Sequence, residues 1–239
     1  MRILFLLLAS ILAYSKTITA TYSAKYGWFG TIATAKGIYE RNETDYKITT
    51  IVKTKGFAAS ISGNLIQTYI STGKVINNKL VPKYYIVDIK RNRNDFYRIY
   101  IFDHKNKIVI KKRFKNGKLT KEYRYFYAPD DILTLYWNLP LYTKEKKQNY
   151  TFYAVGGSKK NGRVDISFLN DKELKKLKKV FKSKGIYIKA NLYNKVFAGD
   201  KGILYLVIDP KSWVTLEGMV KNVLKIGNLK GKINSLKIK

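Results

Sequence analysis

Few residues in this chain have the types and spacing that chemistry requires. Two carboxylates are adjacent, Asp130-Asp131, directly ahead of Ile132 and Leu133. A carboxylate pair can divide acid and base roles between its members. An Asp ahead of an apolar run is also the usual cap of a helix N-terminus, and capping is the expectation here. Asp165 falls within an alternating run and is expected to point to water among Lys neighbours. The one His, His104, sits in Asp103-His104-Lys105-Asn106. That is the composition of a hairpin tip, where an imidazole is expected to be solvated, and any Ser-His-Asp arrangement would have to borrow it from there. The chain has no Cys, which excludes a thiol nucleophile and thiolate metal ligands. G-x-S-x-G, H-E-x-x-H, P-loop and Rossmann glycine patterns are all missing, and Gly27-Trp28-Phe29-Gly30 reads as a strand break or bulge. Twenty Tyr give no means of selecting one as a base. The expectation is a protein without catalytic residues, cofactor or metal.

Binding is the chemistry that remains, and two uncharged stretches in a strongly charged chain are the candidates for it. Phe57 to Gly73 runs seventeen residues without a charge, in a chain that is 26% charged. Phe57, Ile61, Leu65 and Tyr69 recur every fourth residue, and Ala58, Ile66 and Ile70 widen the stripe, so the spacing predicts a helix covered on most sides. Ile132 to Thr143 is the second stretch and carries Tyr136 and Trp137. In a curved sheet these segments are expected to form the plug and rim of the concave side. Trp28, Phe57, Ile61, Leu65, Tyr69, Tyr136 and Trp137 are then the candidate ligand-binding residues. Tyr and Trp suit such a lining because each offers an apolar body with a polar tip.

The elements that must position these residues are mostly strands. Ile18, Ala20, Tyr22, Ala24 and Tyr26 alternate with Thr19, Thr21, Ser23 and Lys25. The same two-residue period recurs from Tyr46 to Lys53, from Leu119 to Tyr127 and from Ile186 to Leu192. One-sided alternation belongs to antiparallel sheets with one buried face. Turn signals divide the runs at Arg41-Asn42-Glu43, Asp103 to Asn106, Lys115-Asn116-Gly117, Lys160-Asn161-Gly162, Gly199 to Gly202 and Gly227-Asn228; Asn-Gly is the strongest of these. Asn170 to Lys184 reads as a surface helix, with Asn170 as N-cap, Glu173 three residues on, Leu174, Leu177 and Phe181 as a narrow stripe and Gly185 as its stop. The fold class expected is mainly β: a strongly curved antiparallel sheet or half-open β-barrel of about ten to twelve strands, with two or three short helices against it. No linker or repeat divides residues 16–239, which are expected to form a single domain.

The N-terminus has the layout of a secretory signal peptide: Arg2, an uncharged run from Ile3 to Ala13, then Ala13-Tyr14-Ser15 with small residues at the cleavage positions. The run is too short to cross about 30 Å of hydrocarbon. Residues 1–15 are expected to be removed after Ser15. With no Cys to carry a lipid, the remainder is expected to be periplasmic and not membrane-spanning. The net charge is +31, from 39 Lys and 8 Arg against 16 acids, and it concentrates towards the C-terminal half. Two origins fit it: the codon bias of an AT-rich genome, or attraction to an anionic membrane surface or acidic envelope polymer. Nucleic acid is not expected, since export removes the chain from it and few Arg are available for bidentate contacts.

In order along the chain, Tyr26 to Ala33, Gly56, Ser71-Thr72-Gly73, Leu80-Val81-Pro82-Lys83-Tyr84, Phe102-Asp103, Asp131-Ile132-Leu133 with Tyr136, and the closing run from Gly202 to Ile233 resemble the exported bacterial family known as domain of unknown function 3108 (DUF3108). A Pro expected near the penultimate strand is replaced around Lys211 to Trp213. The family has no established activity, so the resemblance implies no catalytic residue. It implies a curved antiparallel sheet with helices against it, similar in shape to periplasmic lipoprotein and lipid carriers. A lipid or other amphipathic ligand is the partner this implies. The alternative is a structural or interaction protein that uses its Lys-rich surface.

Overall fold

The computed structural model describes residues 16–145, 147–158, 160–193, 201–223 and 227–239. The expected signal peptide, and Gly199-Asp200 of one expected turn, lie outside the described residues. Strands account for 61% of the structure, in one large curved sheet that does not close. Its first eight strands are β1 (Lys16–Tyr26), β2 (Thr31–Arg41), β3 (Asp45–Thr54), β4 (Ile66–Ile76), β5 (Lys79–Lys90), β6 (Phe96–Asp103), β7 (Ile108–Lys115) and β8 (Lys118–Tyr125). The rest are β9 (Asp130–Asp131), β10 (Asn149–Val155), β11 (Arg163–Phe168), β12 (Ile186–Tyr193), β13 (Lys201–Ile208), β14 (Thr215–Val223) and β15 (Gly227–Ile238). The helices are α1 (Gly56–Ser62), α2 (Ile132–Tyr142) and α3 (Asp171–Lys178).

The order is a meander in two wings, β8 to β1 and then β15 to β9, joined where β1 pairs with β15. All neighbours are antiparallel except β9 with β10. Tight turns set the register. Asn116 and Gly117 take left-handed backbone (φ 49° and 78°) between β7 and β8, and Asn77 and Asn78 do so (φ 50° and 64°) between β4 and β5, the twist that two-residue hairpins require. At Gly73 the β4–β5 register shifts, opposite Pro82. A Cβ there would lie 2.0 Å from the Val81 carbonyl oxygen, so the bulge admits only glycine.

Inner-face residues stack in rows across the strands. Ile18, Tyr39, Ile48, Ser71, Tyr85 and Tyr100 are successive cross-strand partners from β1 to β6, and all are buried. α2 lies inside the curve. Leu135 and Leu139 pack on Ala154, Val164, Ile166 and Ile188 of the second wing, while Leu133 and Trp137 pack on β1–β3 of the first. A helix apolar on all sides is stable only when enclosed, and the two wings enclose this one. α3 covers the outer face instead, seating Leu177, with Phe181 just beyond its end, against Tyr187, Tyr205, Val207 and Met219.

Sequence expectations and structure differ in four places. The helix expected over Phe57 to Gly73 is seven residues long. It ends where Gly63 (φ 70°) and Asn64 (φ 52°) take left-handed backbone, which a helix cannot continue through. The β-branched remainder, Ile66 to Ile76, is strand β4, so the fifteen strands exceed the count read from alternation. α3 stops at Lys178 rather than Lys184. The Glu217 carboxylate accepts from the backbone N–H groups of Lys182 and Ser183 (3.2 and 3.0 Å) and draws the chain off the helix axis. Asp165 does not simply face water: its carboxylate accepts from Arg163 Nε at 2.9 Å and Thr151 Oγ1 at 2.8 Å.

His104 is the fourth. It is half-buried, with Nε2 2.6 Å from the Pro82 carbonyl and Nδ1 3.0 Å from the Tyr127 hydroxyl. A carbonyl only accepts, so Nε2 carries a proton, and Nδ1 shares the second hydrogen bond with the Tyr127 hydroxyl. The reason lies in β5. Strand β6 pairs with β5 only from Tyr84 onward, so the backbone before Tyr84 lacks that partner and side chains must satisfy it.

Candidate functional site: a cavity between α2 and the first wing

α2 is fixed at both ends by bonds the sequence makes available. Asp131 is its N-cap: Oδ1 accepts from the N–H groups of Leu133 and Thr134 (2.8 and 3.1 Å), and Thr134 Oγ1 accepts from the Asp131 N–H at 2.9 Å. This is the capping role expected of the acidic pair, completed as a capping box. Near the other end, Pro140 has no N–H to offer the carbonyl four residues back. That carbonyl, of Tyr136, accepts instead from the Trp213 indole N–H at 3.2 Å. The Tyr136 hydroxyl returns the bond, donating to the Trp213 carbonyl at 2.8 Å. Trp213 holds left-handed backbone (φ 60°), which is strained for a bulky residue. Asp209 over-determines it: its carbonyl accepts from the Trp213 N–H, and its carboxylate accepts from the Ser212 N–H and hydroxyl (2.7 and 2.6 Å).

Between this helix and the inner face of β1–β3 lies a cavity of about 260 Å³. Its cause is local. Ala20, Ala35 and Gly37 are small inner-face residues on β1 and β2, and Leu133, Tyr136 and Trp137 of α2 face them across the gap. A Cβ added at Gly37 would meet nothing within 4 Å. The lining is overwhelmingly apolar, with Ile18, Tyr39, Ile48 and Val214 completing most of it.

A wider opening of about 670 Å³ adjoins it, and Tyr39 and Trp137 line both spaces. Their rings stack at 4.2 Å with 15° between planes, which makes the pair the partition. Lys16, Arg41 and Lys211 surround the outer space, with Asn42, Asn77, Asn78 and the single acid Glu43. An apolar chamber and a cationic, amide-rich vestibule thus lie on either side of two stacked aromatics.

Of the candidate ligand-binding residues, Tyr136 and Trp137 line the cavity. Tyr69 is half-buried in the Tyr-rich core of β4–β8 beside Tyr85 and Val87, and neither it nor Leu65 lines the cavity. Trp28, Phe57 and Ile61 are far more exposed than a covered helix would allow, at 89%, 65% and 70%. They lie at the Tyr26 end of β1, whereas the vestibule lies at its Lys16 end. Reading a long covered helix from Phe57 misplaced Phe57 and Ile61, and Trp28 lies on the turn between β1 and β2. Sequence reasoning missed Tyr39, Gly37 and Trp213. The alternation that locates Tyr39 on an inner face was available, but the emptiness beside it depends on small residues meeting across separate strands.

These features define a class by fold: an open, strongly curved antiparallel sheet wrapped around a helix. No family model matches the chain, and no curated protein matches it. Among solved structures, the chain is similar to the crystal structure of a β-barrel-like protein of domain of unknown function DUF1849 from Brucella abortus, with a TM-score of 0.57 and 8% identity, covering 94% of this chain and 98% of that one. At that identity the likeness is one of fold. No helix among the described residues is long and apolar enough to cross a membrane.

Proposed function

We propose that this is a binding or carrier protein for an amphipathic anion, whose apolar part occupies the cavity under α2 and whose charged head rests on Lys16, Arg41 and Lys211. The observation that carries this reading is the adjacency of the apolar chamber and the cationic vestibule, which share Tyr39 and Trp137 as lining. Few precisely placed polar groups around an apolar hollow are what small-molecule sites are made of. The chamber is slightly below the usual size for drug-sized ligands, which favours a single short acyl chain. The proposal assigns no reaction. Asp130 and Asp131 are enclosed at 2% and 0% exposure, and both nitrogens of His104 have structural partners, which supports a non-enzymatic role.

Gly37 gives the test. Its backbone is ordinary strand with open space beyond it, so Gly37→Val fills the cavity without strain. The expected result is a melting temperature unchanged or raised, with affinity for a fluorescent short-chain fatty acid lowered about tenfold or more, the effect of some 1.4 kcal/mol. Equal uptake by the wild type and Gly37→Val would overturn the site.

Residence in the periplasm after loss of residues 1–15 belongs to the same proposal, supported by the Arg2 to Ser15 pattern and by the resemblance to DUF3108. N-terminal sequencing of the protein recovered from its own cells is expected to begin at Lys16 or within a few residues of it. A product that retains Met1 would refute export by cleavage.

A further inference from the structure

The Tyr26 end of the sheet carries a feature with no part in the cavity. Trp28 and Phe29 occupy the tip of the β1–β2 connection, a single 3-10 turn between two left-handed glycines, Gly27 and Gly30 (φ 48° and 69°). Their rings contact each other at 4.6 Å, and Phe29 stacks on Phe57 of α1 at 5.9 Å with 12° between planes. Ile61 stands one helical turn beyond Phe57, on the same face of α1. All four are exposed, Trp28 at 89%. Four large apolar side chains gathered in water, at a tip where each could have been polar, mark a contact surface rather than scattered exposure.

The surroundings indicate what the contact is. Lys25, Lys53, Lys55, Lys90, Arg91 and Arg93 are exposed on the strand ends and loops of this same end, with Asp88 and Asp95 as the acids. The loops are braced as one platform: Asn92 N–H donates to the Gly63 carbonyl at 2.9 Å, and Asn116 N–H to that of Asp95 at 2.9 Å. An aromatic tip ringed by Lys and Arg is complementary to a bilayer surface with anionic head groups. Trp is favoured at the depth where hydrocarbon meets head groups, and each basic side chain adds attraction to anionic lipid.

We infer that the Trp28–Phe29–Phe57–Ile61 tip inserts into the interfacial layer of an anionic lipid bilayer and holds the protein there as a peripheral membrane protein. The tip penetrates, and the basic ring rests on the head groups. The vestibule then points away from that bilayer, because β1 separates the two ends by roughly 30 Å at about 3.3 Å per residue. This inference does not depend on the cavity holding a ligand.

The test is co-sedimentation of the purified protein with phosphatidylglycerol-containing vesicles and, separately, with pure phosphatidylcholine vesicles. The wild type is expected to bind the anionic vesicles, less strongly as salt rises, and pure phosphatidylcholine weakly. Trp28→Ser with Phe57→Ser is expected to lower binding to anionic vesicles about tenfold or more. Both side chains are solvent-exposed, so the melting temperature should stay where it was, which separates loss of contact from loss of fold. A lipid with bromine on the acyl chain near the head group is expected to quench tryptophan fluorescence of the wild type more than that of the double variant. Unchanged binding by the double variant would overturn the tip and leave a diffuse charge effect. Absence of binding to anionic vesicles would also overturn it, as would a concentration-dependent dimer that the double variant abolishes, which would make the tip an interface between copies of this chain.

Discussion

Replacing Asn138 by Leu is expected to destabilise the protein by about 3–6 kcal/mol, at the level of one to two kcal/mol for each buried polar group left without a partner. Asn138 is 1% exposed, on the α2 face turned to β5. Its Oδ1 accepts from the Leu80 N–H at 2.9 Å, and its Nδ2 donates to the Leu80 carbonyl at 2.9 Å and to Asp130 Oδ1 at 2.8 Å. The amide thus does what a neighbouring strand would do for β5 at a point that β6 does not reach. Leu fits the volume but satisfies neither Leu80 group, and it removes a donor to an enclosed carboxylate that also accepts from the Tyr142 hydroxyl at 2.7 Å. A domain with about 5–15 kcal/mol of total stability would lose a large share of it, visible as a lower midpoint in guanidinium unfolding. A loss below about 1 kcal/mol would mean that water or a shifted β5 replaces the amide.

The same network shows what was legible in the sequence. Alternation located the inner face of β1 at Ile18 and Ala20, and that of β3 at Tyr46 and Ile48, because a two-residue period is a local property. Asn116-Gly117 marked its hairpin, and Asp131 its cap, for the same reason. Asn138 carried no signal. It looked like one polar residue in an apolar run, and its partner, Leu80, is 58 residues away. Phe57 to Gly73 misled because uncharged residues at four-residue spacing resemble a covered helix, while the break at Gly63-Asn64 lay inside the window. The lack of charge there has two local causes. β4 lies between β3 and β5 with half-buried residues on both faces. α1 presents its apolar residues to solvent at the tip, so only half of the stretch was hidden from water. Trp213 escaped notice because its left-handed backbone has no sequence marker, and the groups that hold it, Asp209 and the carbonyl freed by Pro140, meet it only in the fold.

The contribution of Asp131 to stability is expected to fall as pH rises from about 4 to about 7. The carboxyl is fully enclosed. Burial pushes its pKa up to about 7, against hydrogen bonds from Ser71 and the Leu133 and Thr134 N–H groups that favour the charged form. With Asp131 ionised, the Ser71 hydroxyl donates to its Oδ2 at 2.6 Å and Tyr46, at 3.0 Å, donates to Ser71; with Asp131 protonated, Oδ2 carries the proton and donates to the Ser71 oxygen instead. Asp130, next in the chain, is raised by burial as well. An acid whose folded pKa exceeds its unfolded value near 3.9 binds more protons when folded, so the slope of unfolding free energy with pH is negative between the two values. Below about 4 Asp131 carries no penalty; above about 7 the penalty is complete. The slope from this group reaches about 1.4 kcal/mol per pH unit, and its sum over the window is at most about 4 kcal/mol. Asp131→Asn keeps an oxygen for the two helix N–H groups and offers Ser71 an N–H, with no charge to bury. Its unfolding free energy relative to the wild type is expected to be lowest near pH 4 and to rise by a growing margin up to about pH 7, levelling off above it, with Asp130 contributing slope to both proteins. Urea unfolding of both proteins across that range is the measurement. Parallel curves would show that the hydrogen bonds outweigh burial and that Asp131 is ionised throughout.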